Sequence, residues 1–391
     1  MDKVQIANDI YFVGCKDWKC RDFHGYVTPR GVTYNSYLIM DEKVCLIDLV
    51  KQPFAEELLE RITQIVPPEK IDYIVMNHVE NDHASGLAHI MSKIPNAKIM
   101  ITAAGAKEAK KLYGDYDYQI VKDGDTLSLG KNTLSFVTLP MLHWPDSMAT
   151  YLAEEKILFS NDAFGQHICA SRIFDDENVL HTVIEEAEKY YANILQPYTR
   201  LIGSAVAEVG TLDIKMICPS HGLIWRTHIK EIVEKYDFWG KASVTDKVLV
   251  IYDTMWGATE CMARAVFEGV CATGVEARLY KLGTTENSKI VADMLEAAGV
   301  LFGSPTLNYG MMPSMGELLI YLKGLKPAGK PAAVFGTYGW SGGAQKDMEE
   351  LLQKATMQVE EALVLNWSPD KSEVEKCEKF GYEFAKKVCK K

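Results

Sequence analysis

Several things are missing from this sequence of 391 residues. It has no CxxC pair, so it carries no iron–sulfur or rubredoxin-type knuckle of its own. No apolar run approaches the ~20 residues that a bilayer span needs. There is no GxGxxG loop and no Walker-type lysine loop, which argues against NAD and nucleoside triphosphates. Basic charge is also short: 42 Lys and Arg stand against 53 Asp and Glu, for a net charge of -11. Nucleic acid needs clustered cations to neutralise its phosphates, so it is not an expected partner, and neither is a membrane. The first residues, Met1 to Asp9, have no basic n-region and no long apolar stretch. That speaks against a secretory signal and predicts a cytoplasmic protein. The nine cysteines are odd in number and scattered, which predicts free thiols in a reducing compartment.

What is present reads as two α/β domains. Apolar residues make up 48% and charged residues 24%, an ordinary globular balance. To about residue 242, strands and helices alternate irregularly. Tyr37–Met40 and Val44–Leu49 look like paired strands, and Pro53–Val66 has the apolar spacing of a helix. Strand 71–76 follows, with a helix expected from about Ala84. Hairpins mixed with helices predict two sheets covered by helices. The small, polar stretch Gly240–Asp246 marks a boundary. From residue 247 to 391 the pattern is regular: strand 247–253, helix 259–273, strand 276–280, helix 289–298, strand 299–303, strand 331–336 and helix 344–355. That alternation predicts a doubly wound parallel sheet.

Chemistry concentrates first in His78-Val79-Glu80-Asn81-Asp82-His83. Four of these six side chains can bind metal, and they directly follow a strong strand. Imidazole suits iron, zinc, copper and nickel, and carboxylate suits harder ions. Two of each read as half of a two-metal site. Three isolated candidates also follow strands: His143 in Leu142-His143-Trp144-Pro145-Asp146, Asp162 in Asn161-Asp162-Ala163, and His221 in Pro219-Ser220-His221-Gly222. Taken singly, each is more simply a capping or hydrogen-bonding residue.

In the second domain the first strand runs into Thr254-Met255-Trp256-Gly257-Ala258-Thr259. A hydroxyl-rich loop at a helix start can wrap a phosphate with N–H groups and hydroxyls. Without a Walker lysine, a terminal phosphomonoester such as that of FMN fits best. Ser304-Pro305-Thr306-Leu307-Asn308 and Thr337-Tyr338-Gly339-Trp340 follow strands at the same edge. Their backbone can border an isoalloxazine ring, and Tyr338 or Trp340 can stack on it.

The order His-x-Glu-x-Asp-His, His143, Asp162, His221 resembles the metallo-β-lactamase-type domain, in the version found in flavodiiron proteins. Residues 77–83, 142–148, 161–167 and 219–222 carry the resemblance, which extends through the second domain. It implies an N-terminal metallo-β-lactamase-like αββα sandwich and a C-terminal flavodoxin-like domain. It implies two non-haem iron ions: one on His78, Glu80 and His143, the other on Asp82, His83 and His221, with Asp162 bridging. His24 lies near the site in the family. His24, His167 and Tyr190 or Tyr191 are candidates for supporting donors, and His24 and Tyr191 are taken as the catalytic pair.

Zinc hydrolases of this fold usually carry His in place of Glu80. The extra carboxylate favours iron over the alternative, a binuclear zinc hydrolase fused to a flavodoxin domain. Glu80, Asp82, Asp162 and one hydroxide balance two Fe²⁺. The implied activity is reduction of O₂ to water, of NO to N₂O, or both. Two Fe²⁺ and one reduced FMN store four electrons, the number O₂ requires. The resemblance also implies a head-to-tail homodimer or dimer of dimers, and an external donor such as rubredoxin.

Overall fold

A computed structural model describes residues 3–327 and 329–390. The chain opens with β1 (Val4–Ala7) and β2 (Ile10–Phe12). Two small ribbons follow: β3 (Cys15–Asp17) pairs with β6 (Val32–Tyr34), and between them β4 (Asp22–Phe23) pairs with β5 (Tyr26–Val27). Then come β7 (Tyr37–Ile39), β8 (Val44–Ile47), β9 (Ile71–Val75), β10 (Lys98–Thr102) and β11 (Tyr118–Val121). They join the first two strands in a sheet of order β1-β2-β7-β8-β9-β10-β11. A second sheet runs in sequence order through β12 (Thr126–Ser128), β13 (Thr133–Thr138), β14 (Met148–Leu152), β15 (Ile157–Asn161) and β16 (Met216–Pro219).

Side-chain alternation makes these sheets a sandwich. Along β8, Val44 and Leu46 pack toward helices, while Cys45 and Ile47 join Phe136, Leu152 and Phe159 of the second sheet. Along β10, Ile99 and Ile101 take the helical side and Met100 the sheet side. A period of two allows no other division. Helices α1 (Ala55–Thr63), α2 (Asn81–Ala84), α3 (Leu87–Met91) and α4 (Ala103–Leu112) lie between the strands of the first sheet in sequence. In α1, Leu58, Leu59 and Ile62 form the buried stripe, and Arg61 donates to Glu57 one turn back at 2.7 Å. Helices α5 (Leu180–Tyr190), α6 (Thr199–Val209) and α7 (Ile229–Gly240) complete this half.

The second half contains β17 (Thr245–Tyr252), α8 (Ala258–Cys271), β18 (Glu276–Lys281), α9 (Asn287–Leu295), β19 (Ala297–Gly303) and α10 (Pro313–Leu325). It continues through β20 (Pro331–Tyr338), α11 (Ala344–Lys354), β21 (Gln358–Val359), β22 (Leu363–Asn366) and α12 (Lys371–Val388). The sheet is parallel, in the order β18-β17-β19-β20. The position after β20 is filled by two short pieces: β21 pairs with its start and β22 with its end. This is the flavodoxin-like order of a doubly wound sheet. Leu249, Val300 and Val334 face α9, α10 and α11, while Val250, Leu301 and Phe335 face α8 and α12.

Two boundaries differ from the sequence expectations. The helix expected over 289–298 ends at Leu295, because Thr245 N donates to Glu296 O at 2.8 Å and draws Ala297 into the sheet. The helix expected from Ala84 is instead two short turns, and the first of them starts at Asn81. The chain forms two compact units: residues up to Tyr190 with Arg200–Gly240, and Tyr191–Thr199 with Lys241 onward. A single cut near residue 242 does not anticipate that Tyr191–Thr199 packs with the later residues. There Asn193 Nδ2 donates to Ser288 O at 3.0 Å and Tyr321 donates to Asn193 Oδ1 at 2.7 Å.

In the second unit, α8 and α12 touch backbone to backbone. A Cβ on Gly269 of α8 would lie 1.8 Å from the Glu378 carbonyl oxygen of α12. A Cβ on Gly381 of α12 would lie 2.0 Å from the Val266 carbonyl oxygen of α8. Neither contact can relax by rotating a side chain. Gly269→Ala and Gly381→Ala are each expected to cost about 1–3 kcal/mol or more, the usual range for overpacking. Denaturant unfolding measures this; a loss below about 0.5 kcal/mol would show that the helices can move apart freely.

Candidate metal centre and cofactor cleft

Strand ends bring seven side chains of the first unit together. Asn77, just past β9, donates from N and Nδ2 to the buried Asp48 carboxylate at 2.7 and 2.9 Å. Thr150 donates to Asn77 Oδ1 at 2.7 Å. This network fixes the turn that carries His78 and Glu80. Asp82 and His83 stand on α2, His143 lies between β13 and β14, Asp162 follows β15, and His221 follows β16. Two trios form, His78–Glu80–His143 and Asp82–His83–His221, and within each the ligand atoms lie within 4.8 Å of one another.

Asp162 faces both trios. Its Oδ2 lies 3.2 Å from His143 Nε2 and 3.8 Å from His78 Nε2. Its Oδ1 lies 3.2 Å from His83 Nε2 and 3.5 Å from His221 Nε2. Within the trios, Glu80 Oε2 is 3.3 Å from both His78 and His143, and Asp82 Oδ2 is 3.0 Å from His221. The outer ring nitrogens set the tautomers. His78 Nδ1 pairs with Asp146 Oδ2 at 2.9 Å, and His221 Nδ1 pairs with Thr33 O at 2.6 Å. Both Nε2 atoms therefore turn their lone pairs inward.

The cluster attracts cations. Burial opposes charge on His78, but Asp146 and Glu80 outweigh it and push the ring up to about 10. His143 rises to about 10 against burial because Asp162 and Glu80 face it. Burial works against Glu80 too, yet His143 and His78 hold it down to about 2. Asp82 and Asp162 are held well below the usual carboxylate range despite burial, chiefly by His83. Bound metal ions would displace the imidazole protons. Among the described residues, the buried Asp82 Oδ1, Asp162 Oδ2 and both nitrogens of His83 have no hydrogen-bond partner. The inward-facing atoms among them, Asp162 Oδ2 and His83 Nε2, stand at the centre of the cluster and fit metal ligands. The N/O donor set fits iron or zinc.

The supporting residues expected from the sequence divide. Tyr191 is not at the cluster: its hydroxyl pairs with Thr199 at 3.3 Å, within the second unit. Tyr190 takes that place, donating to Asp162 Oδ1 at 2.8 Å. One residue along a helix turns a side chain by about 100°, which sequence alone does not phase. His24 sits at the tip of the β4–β5 ribbon with φ 57°, and its Nε2 is 3.6 Å from Glu80 Oε1. His167 is buried among the rings of Phe23, Tyr26, Tyr190 and His221, and burial holds it neutral. Asp146, three residues after His143 in the same motif, is a further functional residue: besides His78 Nδ1 it accepts from Val79 N at 2.8 Å.

In the second unit a cleft of about 470 Å³ opens at the C-terminal strand edge. It is lined by Thr254, Met255, Trp256, Ala258, Thr259, Pro305, Thr306, Leu307, Asn308, Thr337, Tyr338, Gly339 and Trp340 from the three expected loops. Gly257 and Ser304 do not line it. Gly257 caps α8 with φ 88° and donates to Thr254 Oγ1 at 3.0 Å, while buried Ser304 accepts from Met312 N at 2.9 Å. Tyr309, Ser341, Trp367 and Ser368 line it as well. Tyr309 and Ser341 continue the second and third of those loops, whereas Trp367 and Ser368 follow β22 in a segment with no sequence signal for a site.

The cleft fits FMN. Thr254 and Thr259 flank the free N–H groups at the start of α8, and no Lys or Arg lines the wall. Trp256 is 94% exposed, Trp340 88% and Tyr309 71%, an unusual display of aromatic surface that suits a planar ring.

Asp146→Asn is expected to weaken metal retention by about 10–100-fold, because it loosens His78 while removing no ligand. Metal content after dialysis against a graded chelator measures this. Retention equal to the parent would show that Asp146 does not orient His78.

Residues 32–222 match the family model described as ODP family beta lactamase, and residues 250–381 match the flavodoxin model. The chain is 44% identical over 393 residues to a nitric oxide reductase of Moorella thermoacetica, covering 98% of each. It is 39% identical to an anaerobic nitric oxide reductase flavorubredoxin of Escherichia coli, covering 98% of this chain and 82% of that one. Its fold matches the crystal structure of the flavodiiron protein from Giardia intestinalis with a TM-score of 0.97, at 39% identity, over 99% of this chain and 97% of that one. It also matches the rubredoxin oxygen:oxidoreductase of Desulfovibrio gigas, with a TM-score of 0.96 at 37% identity over 99% and 98% of the two chains. With both halves matched and relatives this similar along nearly the whole length, the chain belongs to the flavodiiron protein family.

Proposed function

We propose that this chain reduces O₂ to water, NO to N₂O, or both, at a non-haem diiron centre supplied with electrons through FMN. The observation that carries this reading is the division of Asp162, with one oxygen turned to each trio. His78, Glu80 and His143 would hold one iron and Asp82, His83 and His221 the other, with Asp162 shared. Iron held there would supply electrons to the bound gas, and FMN would pass them on from an external donor. The printed names of the relatives cover both gases, nitric oxide reductase and rubredoxin oxygen:oxidoreductase.

The chain's own groups then have distinct tasks. The Tyr190 hydroxyl donates to Asp162 Oδ1 and fixes the plane of that carboxylate. His24, exposed and 3.6 Å from Glu80, is placed to pass protons between solvent and the cluster. Both O₂ and NO reduction consume protons, so such a group is needed. Phe23 against His24 and His221, and Trp144 edge-on to His78, wall the cluster with apolar rings that limit water. In the cleft, Thr254 and Thr259 would hold the phosphate.

The zinc-hydrolase alternative keeps the fold but leaves Glu80 unexplained, since its charge suits a harder, redox-active ion. The reading includes a small rubredoxin-like donor, because this sequence has no CxxC knuckle of its own. It also includes a head-to-tail homodimer or dimer of dimers, and a cytoplasmic location.

Turnover under one saturating donor, with O₂ and NO compared in parallel, tests the reading. Asp162→Ala is expected to lower gas consumption by more than the roughly 10–100-fold typical of a supporting residue. Flavin absorbance should stay unchanged. Bound zinc, hydrolase activity and no gas consumption would overturn the proposal.

A further inference from the structure

The loop that carries Trp340 is held from the side by the end of β22. Asn366 Nδ2 donates to Tyr338 O at 3.2 Å and also to Gly339 O. Trp367 N donates to Tyr338 O at 2.8 Å. Trp367 itself has φ 62°, a left-handed conformation that non-glycine residues rarely adopt. The turn directs its indole back over the loop. A Cβ built on Gly339 would lie 2.9 and 3.0 Å from two carbons of that indole. Gly339 has no left-handed φ of its own, so what a side chain there would disturb is the seat of the indole, whose edge would have to swing outward. The Trp340 and Trp367 rings are tilted at 49° with centroids 6.2 Å apart. Trp340 is 88% exposed and Trp367 59%, so solvent surrounds most of both rings.

We propose that Trp367 is a positioning residue for the flavin. It holds the Gly339–Trp340 peptide and the Trp340 indole in the pose that receives the isoalloxazine ring, before the ring arrives. Trp340 is exposed even beside it; without Trp367 it would also lose its aromatic neighbour in the cleft, and ordering it would subtract from binding. The clamp has three parts: Asn366 fixes the carbonyls, the Trp367 backbone fixes the turn, and the Trp367 indole rests on Gly339. This inference rests on the FMN reading of the cleft.

The test is an FMN titration of the full-length chain after flavin removal, with iron content as a check that the rest of the chain is intact. Trp367→Ala is expected to weaken FMN binding about two- to tenfold, the range for losing one aromatic pair, and to shift the visible spectrum of the bound flavin. Trp367→Phe should recover most of the loss. Gly339→Ala should weaken binding in the parent by forcing the indole away. In the Trp367→Ala background it should cost nothing more, because the space beneath the indole is then open. Asn366→Ala, which leaves the indole in place, should weaken binding through the loop alone. Additive losses in the double variant, or a Trp367→Ala protein with unchanged affinity and spectrum, would overturn the inference. A parent chain that takes up no FMN would instead defeat the cofactor reading itself.

Discussion

Asp162 lies between two sets of imidazoles, and most of the first unit can be understood as the means of placing it. A single carboxylate can serve two trios only if three strand ends and a helix converge to within a few ångströms. The register between β15 and β16 shifts between Phe159 and Asn161, and Asn161 adopts φ 57°. Such irregularities re-aim a side chain at a sheet edge, and asparagine tolerates the left-handed conformation better than most residues. Tyr190 then fixes the carboxylate's orientation. The electrostatics follow from the convergence. Three carboxylates packed this closely repel one another, and only positive charge from imidazolium or metal makes their burial tolerable.

Much of this was legible in the sequence. A strand that ends in His-x-Glu-x-Asp-His announces ligands at a sheet rim, whereas His143, Asp162 and His221, each ambiguous singly, needed the resemblance to the family to join that set. Hairpins mixed with helices before residue 242, and the regular strand–helix spacing after residue 247, pointed to the two sheet types. What was not legible has physical causes. Whether Tyr190 or Tyr191 faces the cluster depends on helical phase, which two adjacent tyrosines leave undetermined. Asp146 acts through a histidine 68 positions away, a relation that only tertiary structure reveals. Tyr191–Thr199 packs with residues far along the chain because Asn193 finds its partners on α9 and α10, and no local signal encodes such docking. Trp367 required a left-handed turn at a non-glycine residue, which no turn signature announces.

The two units solve a common problem by different chemistry. In the metal cluster, preorganisation comes from buried hydrogen bonds: Asp48 to Asn77, Asp146 to His78 and Thr33 to His221. These bonds are strong because water is excluded from them. In the cleft the aromatic rings remain exposed, and preorganisation comes from contact: an indole against a glycine and two backbone carbonyls held by Asn366. Removing a partner from the first kind of site leaves a buried group unsatisfied. Removing one from the second kind leaves a mobile loop. The first loss falls on metal content and the second on cofactor affinity, so the two can be told apart at the bench.

The contact between α8 and α12 also bears on how the protein is made. Ala258 and Thr259 at the start of α8 line the cleft, yet the packing face of that helix, through Gly269 and Val266, is built against Gly381 and Glu378 of α12. The order of synthesis leaves α8 without that partner until the far end of the second unit has been made. Residues 272–370, 99 in number, separate the two helices that must meet. The residues of the metal cluster are therefore all made well before the helix on which α8 packs.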